Sequence, residues 1–391
     1  MINLMRLASD DGFQVFACSP DLKKDKAPLF SDVKTYRIKK YPSLFVSLLL
    51  NRVTGLDGVG NIFSTIKLCN YIKKNKIDLI HLHNLHTGYL NLSILFRFIK
   101  KKRIKVVWTL HDCWGFTGRC PYFSAMDCQK WKNGCHKCKY PLIYYPRTYI
   151  NRSSTMLKLK KKWFSNVENM VIVTPSVWLK QLVGESFLSQ YKTKVINNGI
   201  NLTLFKPTKS SFKEIHGISN KIIVLGVALG WEERKGLDVF IKLSKELPAH
   251  YQIVLVGTDD NIDKQLPNNI ISIHRTNSQD ELAGIYTSAS VFLNPTIEDN
   301  YPTVNMEALA CGTPVLTYKT GGSPEIIDET CGSVVDCGDY ESIKKELIRI
   351  CETKPYSSSA CVSRASSFNM YDKFDSYIFL YNEMISDNYE K

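Results

Sequence analysis

The sequence predicts an α/β protein built from two doubly wound parallel sheets. Short β-rich apolar runs alternate with longer amphipathic stretches, which is the rhythm of successive βαβ units. That rhythm occurs twice, on either side of a stretch rich in turn formers, Asn197-Asn198-Gly199-Ile200 through Phe205-Lys206-Pro207. A chain of 391 residues with 44% apolar content is also large enough for two cores, since single domains usually hold about 100–200 residues.

In the first half the strand-like runs are Phe13–Cys18, Leu79–His83, Lys105–Leu110, Val171–Thr174 and Lys194–Ile196. In the second half they are Ile222–Val227, Gln252–Gly257, Ile270–His274, Val291–Pro295 and Pro314–Tyr318. A linker at about Leu204 to Ser211 divides residues 1–205, with a cysteine-rich insertion at 113–140, from residues 206–370. The last segment, 371–391, carries aromatic residues at helical spacing over Tyr371–Ile385 and is expected to pack back on the first domain. At the other end, Met1–Gly12 reads as a helix.

The formal charge, 51 − 37 = +14, favours anionic partners. A nucleic-acid binder is the rival reading of that charge, but the cations are dispersed and no nucleic-acid-binding motif accompanies them, so no nucleic-acid partner is expected. Twelve cysteines without an apolar leader or a secreted-scaffold ladder predict reduced thiols in the cytoplasm. The longest apolar run, Ser43–Leu50, falls far short of the roughly 20 residues of a spanning helix. The expected location is therefore cytoplasmic, with peripheral contact to an anionic membrane surface suggested by Lys100–Arg103 and Lys158–Phe164.

Parallel sheets bind ligands beyond the carboxyl ends of their strands, and four such segments stand out. Gly226–Gly236 ends a strand in small residues and brings Arg234 and Lys235 before a glycine, a pair suited to neutralising a diphosphate. Asn294–Pro314 leads from a strand through Glu298 and Asp299 to a helix that starts near Thr303 and carries Glu307. Backbone N–H groups at that start, around Thr303, Val304 and Asn305, suit a phosphate, and the carboxylates suit sugar and ribose hydroxyls. The alternative casts Asp299 as a plain helix cap and Glu307 as a solvated side chain. Thr320–Glu325 places two glycines after a strand, where backbone can approach a ligand closely. Trp108–Asp112 puts the His111 imidazole at a strand end.

Taken in order, these motifs resemble the retaining glycosyltransferases of the group 1 superfamily. The resemblance runs through His81-Leu82-His83-Asn84, Thr109–Asp112, Asn198-Gly199-Ile200, Arg234-Lys235-Gly236, Asp299 with Glu307–Pro314, and Gly321-Gly322. It implies the GT-B architecture, two Rossmann-like domains facing across a cleft. It further implies transfer of a sugar from a UDP- or GDP-sugar to a glycan or lipid-linked glycan of a bacterial surface polysaccharide. In that family the lysine holds the donor diphosphate, the first acid contacts the sugar and the second the ribose, roles that fall on Lys235, Asp299 and Glu307. His111 lines the reacting centre, and no metal or cofactor is required.

The chain departs from the family pattern in three places. Asp299, preceded by Glu298, stands where a glutamate is usual; Gly230-Trp231 replaces an arginine whose place Arg234 takes; and the strand and glycine-rich loop that normally open the fold are absent from Met1–Gly12. That missing strand makes a catalytically impaired, partner-binding scaffold the alternative function. Finally, Cys120, Cys128, Cys135 and Cys138 offer four thiolates to a structural zinc, although only one pair is closely spaced; packed free thiols are the other reading.

Overall fold

The computed structural model describes residues 2–20, 33–38, 43–86, 88–142 and 147–386. Within them the chain divides into two units, Met1–Ile196 with Phe374–Lys391, and Asn197–Lys373. Both are of the α/β class expected.

The first unit holds β1 (Phe16–Pro20), β2 (Lys34–Ile38), β3 (Leu79–Leu82), β4 (Lys105–Thr109), β5 (Met170–Thr174) and β6 (Lys192–Val195). Strands β3-β4-β5-β6 form one parallel sheet, with Val106 opposite Met170, while β1 and β2 pair in a sheet of their own. Residues Ile2–Asp10 are a helix, closed by Gly12 at φ 90° and by Phe13 N–H donating to the Ala8 carbonyl. That closure moves the first strand downstream of the expected Phe13. Several other expected strands overran by one residue, at His83, Leu110, Gly257, His274 and Pro295, because the chain leaves the sheet there to enter the loops described below.

Helix Leu92–Lys102 shows how the covering layer forms. Leu92, Leu95, Phe96 and Ile99 recur on one face and are buried, each stabilising the unit by about 1.5–3 kcal/mol. Asn91 caps its start by accepting from Ile94 N–H at 3.0 Å, and Arg103 in the left-handed region ends it. Helix Met370–Ile385 runs from the second unit into the first, and its Tyr377, Ile378, Leu380, Tyr381 and Met384 are buried with Leu4, Ala8, Val107 and Val171. Residues 387–391 of the expected terminal segment lie outside the described ones.

Helix Ser153–Phe164 splits the expected basic and aromatic stretch between two faces. Lys160 and Phe164 are fully buried and Trp163 nearly so, while Lys158, Lys161 and Lys162 are exposed. Phe164 packs at 4.8 Å edge-on against Trp108 and at 4.7 Å against Phe96. Aromatic burial outweighs the charge of the neighbouring lysines, which project from the other face.

The second unit contains β7 (Ile222–Val227), β8 (Tyr251–Val256), β9 (Ile270–Ile273), β10 (Val291–Asn294), β11 (Val315–Tyr318) and β12 (Gly332–Val335) in one parallel sheet of order β12-β11-β10-β7-β8-β9. The division between units falls after Ile196 rather than at Phe205. Ile200 and Phe205 are already buried in the second core, and Ile200 exchanges backbone hydrogen bonds with Phe368 and Met370. Strand order reverses between β7 and β10, so the loops that follow them diverge and leave a crevice at their carboxyl ends.

Candidate active site

In the second unit that crevice is lined by the loops after β7, β10 and β11. Gly236 sits at φ 75°, where a Cβ would lie 2.5 Å from the Pro295 carbonyl oxygen; only glycine permits this approach. Ile297 N–H donates to the Arg234 carbonyl at 2.9 Å, locking the first two loops together. The result places Lys235 Nζ 2.8 Å from Asp299 Oδ2, each side chain 19% exposed. Asp299 Oδ1 accepts from Asn300 N–H at 2.8 Å, and the third loop closes on the same segment through Gly322 N–H to the Asn300 carbonyl at 2.7 Å.

Gly321 makes that last contact feasible. It adopts φ 51°, and a Cβ there would stand 1.8 Å from the Asp299 carbonyl oxygen. Gly321→Ala is expected to cost about 1–3 kcal/mol and to displace Asp299. A thermal melt combined with donor titration checks it: unchanged stability and unchanged donor affinity would contradict the strain argument.

Arg234 is turned differently from Lys235. Its Nε meets Glu232 at 3.0 Å and its Nη1 donates to the Glu298 backbone carbonyl at 3.3 Å. Of the two acids at the β10 exit, Asp299 is therefore the one paired with the lysine, and Glu298 contributes its carbonyl to Arg234. Helix Thr303–Ala310 begins after Pro302 without a side-chain cap, so the first-turn N–H groups of Thr303 and Val304 lack intrahelical partners and favour an anion. One turn on, Glu307 Oε2 accepts from the Tyr286 hydroxyl at 3.1 Å, and burial raises its carboxyl above the ordinary range.

The Asn305 N–H, unlike those of Thr303 and Val304, is turned to the Pro302 carbonyl at 3.3 Å. The Asn305 side chain is fully buried, with Oδ1 accepting from Asn294 Nδ2 at 2.8 Å, and Asn294 Oδ1 in turn accepting from Thr296 at 2.7 Å. The third residue of a helix whose apolar face is inward points into the fold, so Asn305 fastens the helix to the end of β10.

In the first unit, His111 follows β4. Its Nε2 lies 2.9 Å from His83 Nδ1 and the two rings stack. His81 bridges Thr109 Oγ1 at 2.8 Å and the Tyr381 hydroxyl at 2.5 Å. Burial is the main cause lowering all three imidazoles, His81 to about 3, which keeps them neutral at neutral pH. Next to them His86 Nε2 approaches Asp112 at 3.2 Å, and Asp112 Oδ1 accepts from Trp114 N–H. His83 stands in a motif that carries the resemblance, but the sequence assigned it no role at the site. The signal was present, since alternation along a strand puts residues two apart on one face.

Among the described residues, Cys120, Cys128, Cys135 and Cys138 do not bring their sulfurs together at ligand distances. Among the described residues, the only histidine, cysteine or acidic groups whose ligand atoms all lie within 4.8 Å are the exposed Asp260, Asp263 and His274. Cys120 and Cys135 instead pack in the hydrophobic core, where burial pushes their thiols up to about 12 and about 11, and Gly118 N–H donates to Cys135 Sγ. A single close pair supplies only half of a tetrahedral thiolate set.

A family profile described as Glycosyltransferase Family 4 matches residues 1–204, and one described as Glycosyl transferases group 1 matches residues 208–366. Among curated relatives, WcaC of Escherichia coli (strain K12), a glycosyl transferase assigned to colanic acid biosynthesis, is 26% identical over 269 residues, 66% of this chain. The match spans 63% of that relative's length. Among solved structures, sucrose-phosphate synthase from Thermosynechococcus elongatus has a TM-score of 0.70 at 17% identity, covering 98% of this chain and 92% of its own. Anabaena Alr3699/HepE in complex with UDP has a TM-score of 0.61 at 15% identity, covering 90% and 87%. At these identities the structural likeness is one of fold.

Proposed function

Because the chain belongs to the group 1 and family 4 glycosyltransferases, we propose that it moves a sugar, with retention of configuration, from a UDP- or GDP-sugar to a glycan or lipid-linked glycan of a surface polysaccharide. The observation that carries this reading is the Lys235–Asp299 pair beside the open helix start at Thr303, all at the crevice of a doubly wound sheet. Lys235 and the N–H groups of Thr303 and Val304 hold the donor diphosphate and offset the charge that develops on it as it leaves. Protein cations do this without a metal ion. Asp299 takes sugar hydroxyls and Glu307 the ribose, while neutral His111 lines the acceptor side. The acceptor hydroxyl attacks on the face that the diphosphate vacates, so configuration is retained. The relative assigned to colanic acid biosynthesis and the UDP complex of Alr3699/HepE support the polysaccharide and nucleotide parts of this reading. A lipid-linked acceptor places the enzyme at the inner face of the cytoplasmic membrane.

Hydrogen–deuterium exchange with a panel of UDP- and GDP-sugars tests donor use before the acceptor is known. One donor is expected to protect the segments around Lys235 and Asp299–Glu307, and Lys235→Ala to abolish that protection. A well-folded chain protected by none would overturn the proposal. His111→Ala is expected to lower kcat about 10²-fold or more while leaving donor protection intact; loss of donor binding in that variant would contradict the assignment.

The alternative, a catalytically impaired scaffold, draws on one observation: the parallel strands of the first unit fall in two sheets, β1-β2 apart from β3 to β6. Donor-dependent release of nucleoside diphosphate would rule it out.

A further inference from the structure

We infer that helix Ser43–Thr54 is a membrane-docking element that lies in the headgroup region of an anionic bilayer. Its polarity is inverted relative to a helix that packs on a core. The side facing the protein is polar: Ser47, 1% exposed, donates to the Gly88 carbonyl at 2.7 Å, and Asn51 donates to Asp57 Oδ1 at 2.9 Å. The outward side is apolar, with Phe45 58%, Leu49 50% and Val53 50% exposed and Val46, Leu48 and Leu50 beside them.

Two neighbouring segments extend this face. Phe63, 80% exposed, stands at the start of helix Ile62–Lys74, whose approach is set by Gly60 against Ser47. Tyr149, 65% exposed, is tied to the helix end by its N–H to the Arg52 carbonyl at 2.8 Å. Apolar surface gathered in this way marks an interaction site rather than scattered surface residues.

Charge identifies the occupant. Between Val33 and Ile77 the sequence has nine lysines and arginines and one acidic residue, Asp57, which is buried. Arg147 and Arg152 flank Tyr149 and are exposed. An apolar face with exposed Arg52, Arg147 and Arg152 at its end fits acyl chains beneath anionic headgroups. A second copy of the chain would set these cations against each other. The helix has 12 residues, a length of about 18 Å, too short to cross a bilayer of about 30 Å. It therefore lies in the interface plane, and among the described residues no helix is long and apolar enough to cross.

The inference rests on the lipid-side half of the proposed function, and its test is run without donor so that the two fail separately. The full chain is sedimented with phosphatidylcholine vesicles and with vesicles carrying phosphatidylglycerol. Wild type is expected to bind the anionic vesicles, with binding reduced by high salt. In the double variant Leu49→Asp, Val53→Asp, affinity is expected to fall roughly 100-fold, since two inserted side chains are lost. Both positions are half-exposed, so the thermal melt is expected to match wild type. Equal vesicle binding by wild type and variant, or no binding by wild type, overturns the inference. A wild-type dimer that the same variant disperses would overturn it in favour of a self-association face. Donor protection measured without vesicles reports on the transferase reading alone.

Discussion

Lys235→Ala is expected to reduce kcat/KM by about 10²–10³-fold, the loss typical when one preorganised charge at a leaving group is removed. Two terms act together. The ammonium that stands 2.8 Å from Asp299 disappears, and Asp299, set among loops held by Gly236 and Gly321, is left facing the donor phosphates with no cation between. The pair is partly exposed, so stability is expected to change little, and a melt within error of wild type separates catalysis from folding. Lys235→Arg is expected to recover only part of the rate, because a planar fork replaces a point charge. Full activity in Lys235→Ala would remove the diphosphate role.

The second large effect concerns Lys160, which is fully buried. Its Nζ donates to the Trp114 carbonyl at 2.6 Å and the Thr117 carbonyl at 3.1 Å and lies 3.6 Å over the Trp114 ring. Asp57, also buried, is its principal counter-charge, and Asp57 Oδ2 has no hydrogen-bond partner. Lys160→Ala opens a void and strands that carboxylate, so a destabilisation of about 3–5 kcal/mol is expected.

Lys160→Met keeps the volume and isolates the charge. Burial lowers the folded-state pKa of Lys160 to about 7 from its ordinary 10.5. Between those values the unfolded chain holds the proton and the folded chain releases it, so wild-type stability rises with pH relative to the methionine variant. Below about 7 both states are protonated and the difference between the two proteins is flat. Urea unfolding at a series of pH values from 6 to 10 reads this directly; parallel curves for the two proteins would refute it.

The strand runs and the glycine and lysine of Arg234-Lys235-Gly236 were legible in the sequence because they are local. Apolar alternation and turn residues act over a few positions, and a basic residue before a left-handed glycine is visible without any tertiary contact. Strand ends were less legible, since a strand stops where its pairing partner stops.

The sequence by itself determined two runs of βαβ units, their order and the residues offered at the strand ends. Tertiary structure decided how those residues are used. Lys235 meets Asp299, 64 positions away, because β7 and β10 are neighbours, and neighbours in a sheet are set by crossover topology. The same folding turned Asn305 inward to Asn294, drew Lys160 and the thiols of Cys120 and Cys135 into the core, and placed Ile200 and Phe205 in the second unit rather than in the first. It also set Ser47 and Asn51 against the protein and Leu49 and Val53 outward. Composition says which side chains are apolar or charged, but burial is a property of the surface each one meets, and that surface exists only once distant segments have packed together.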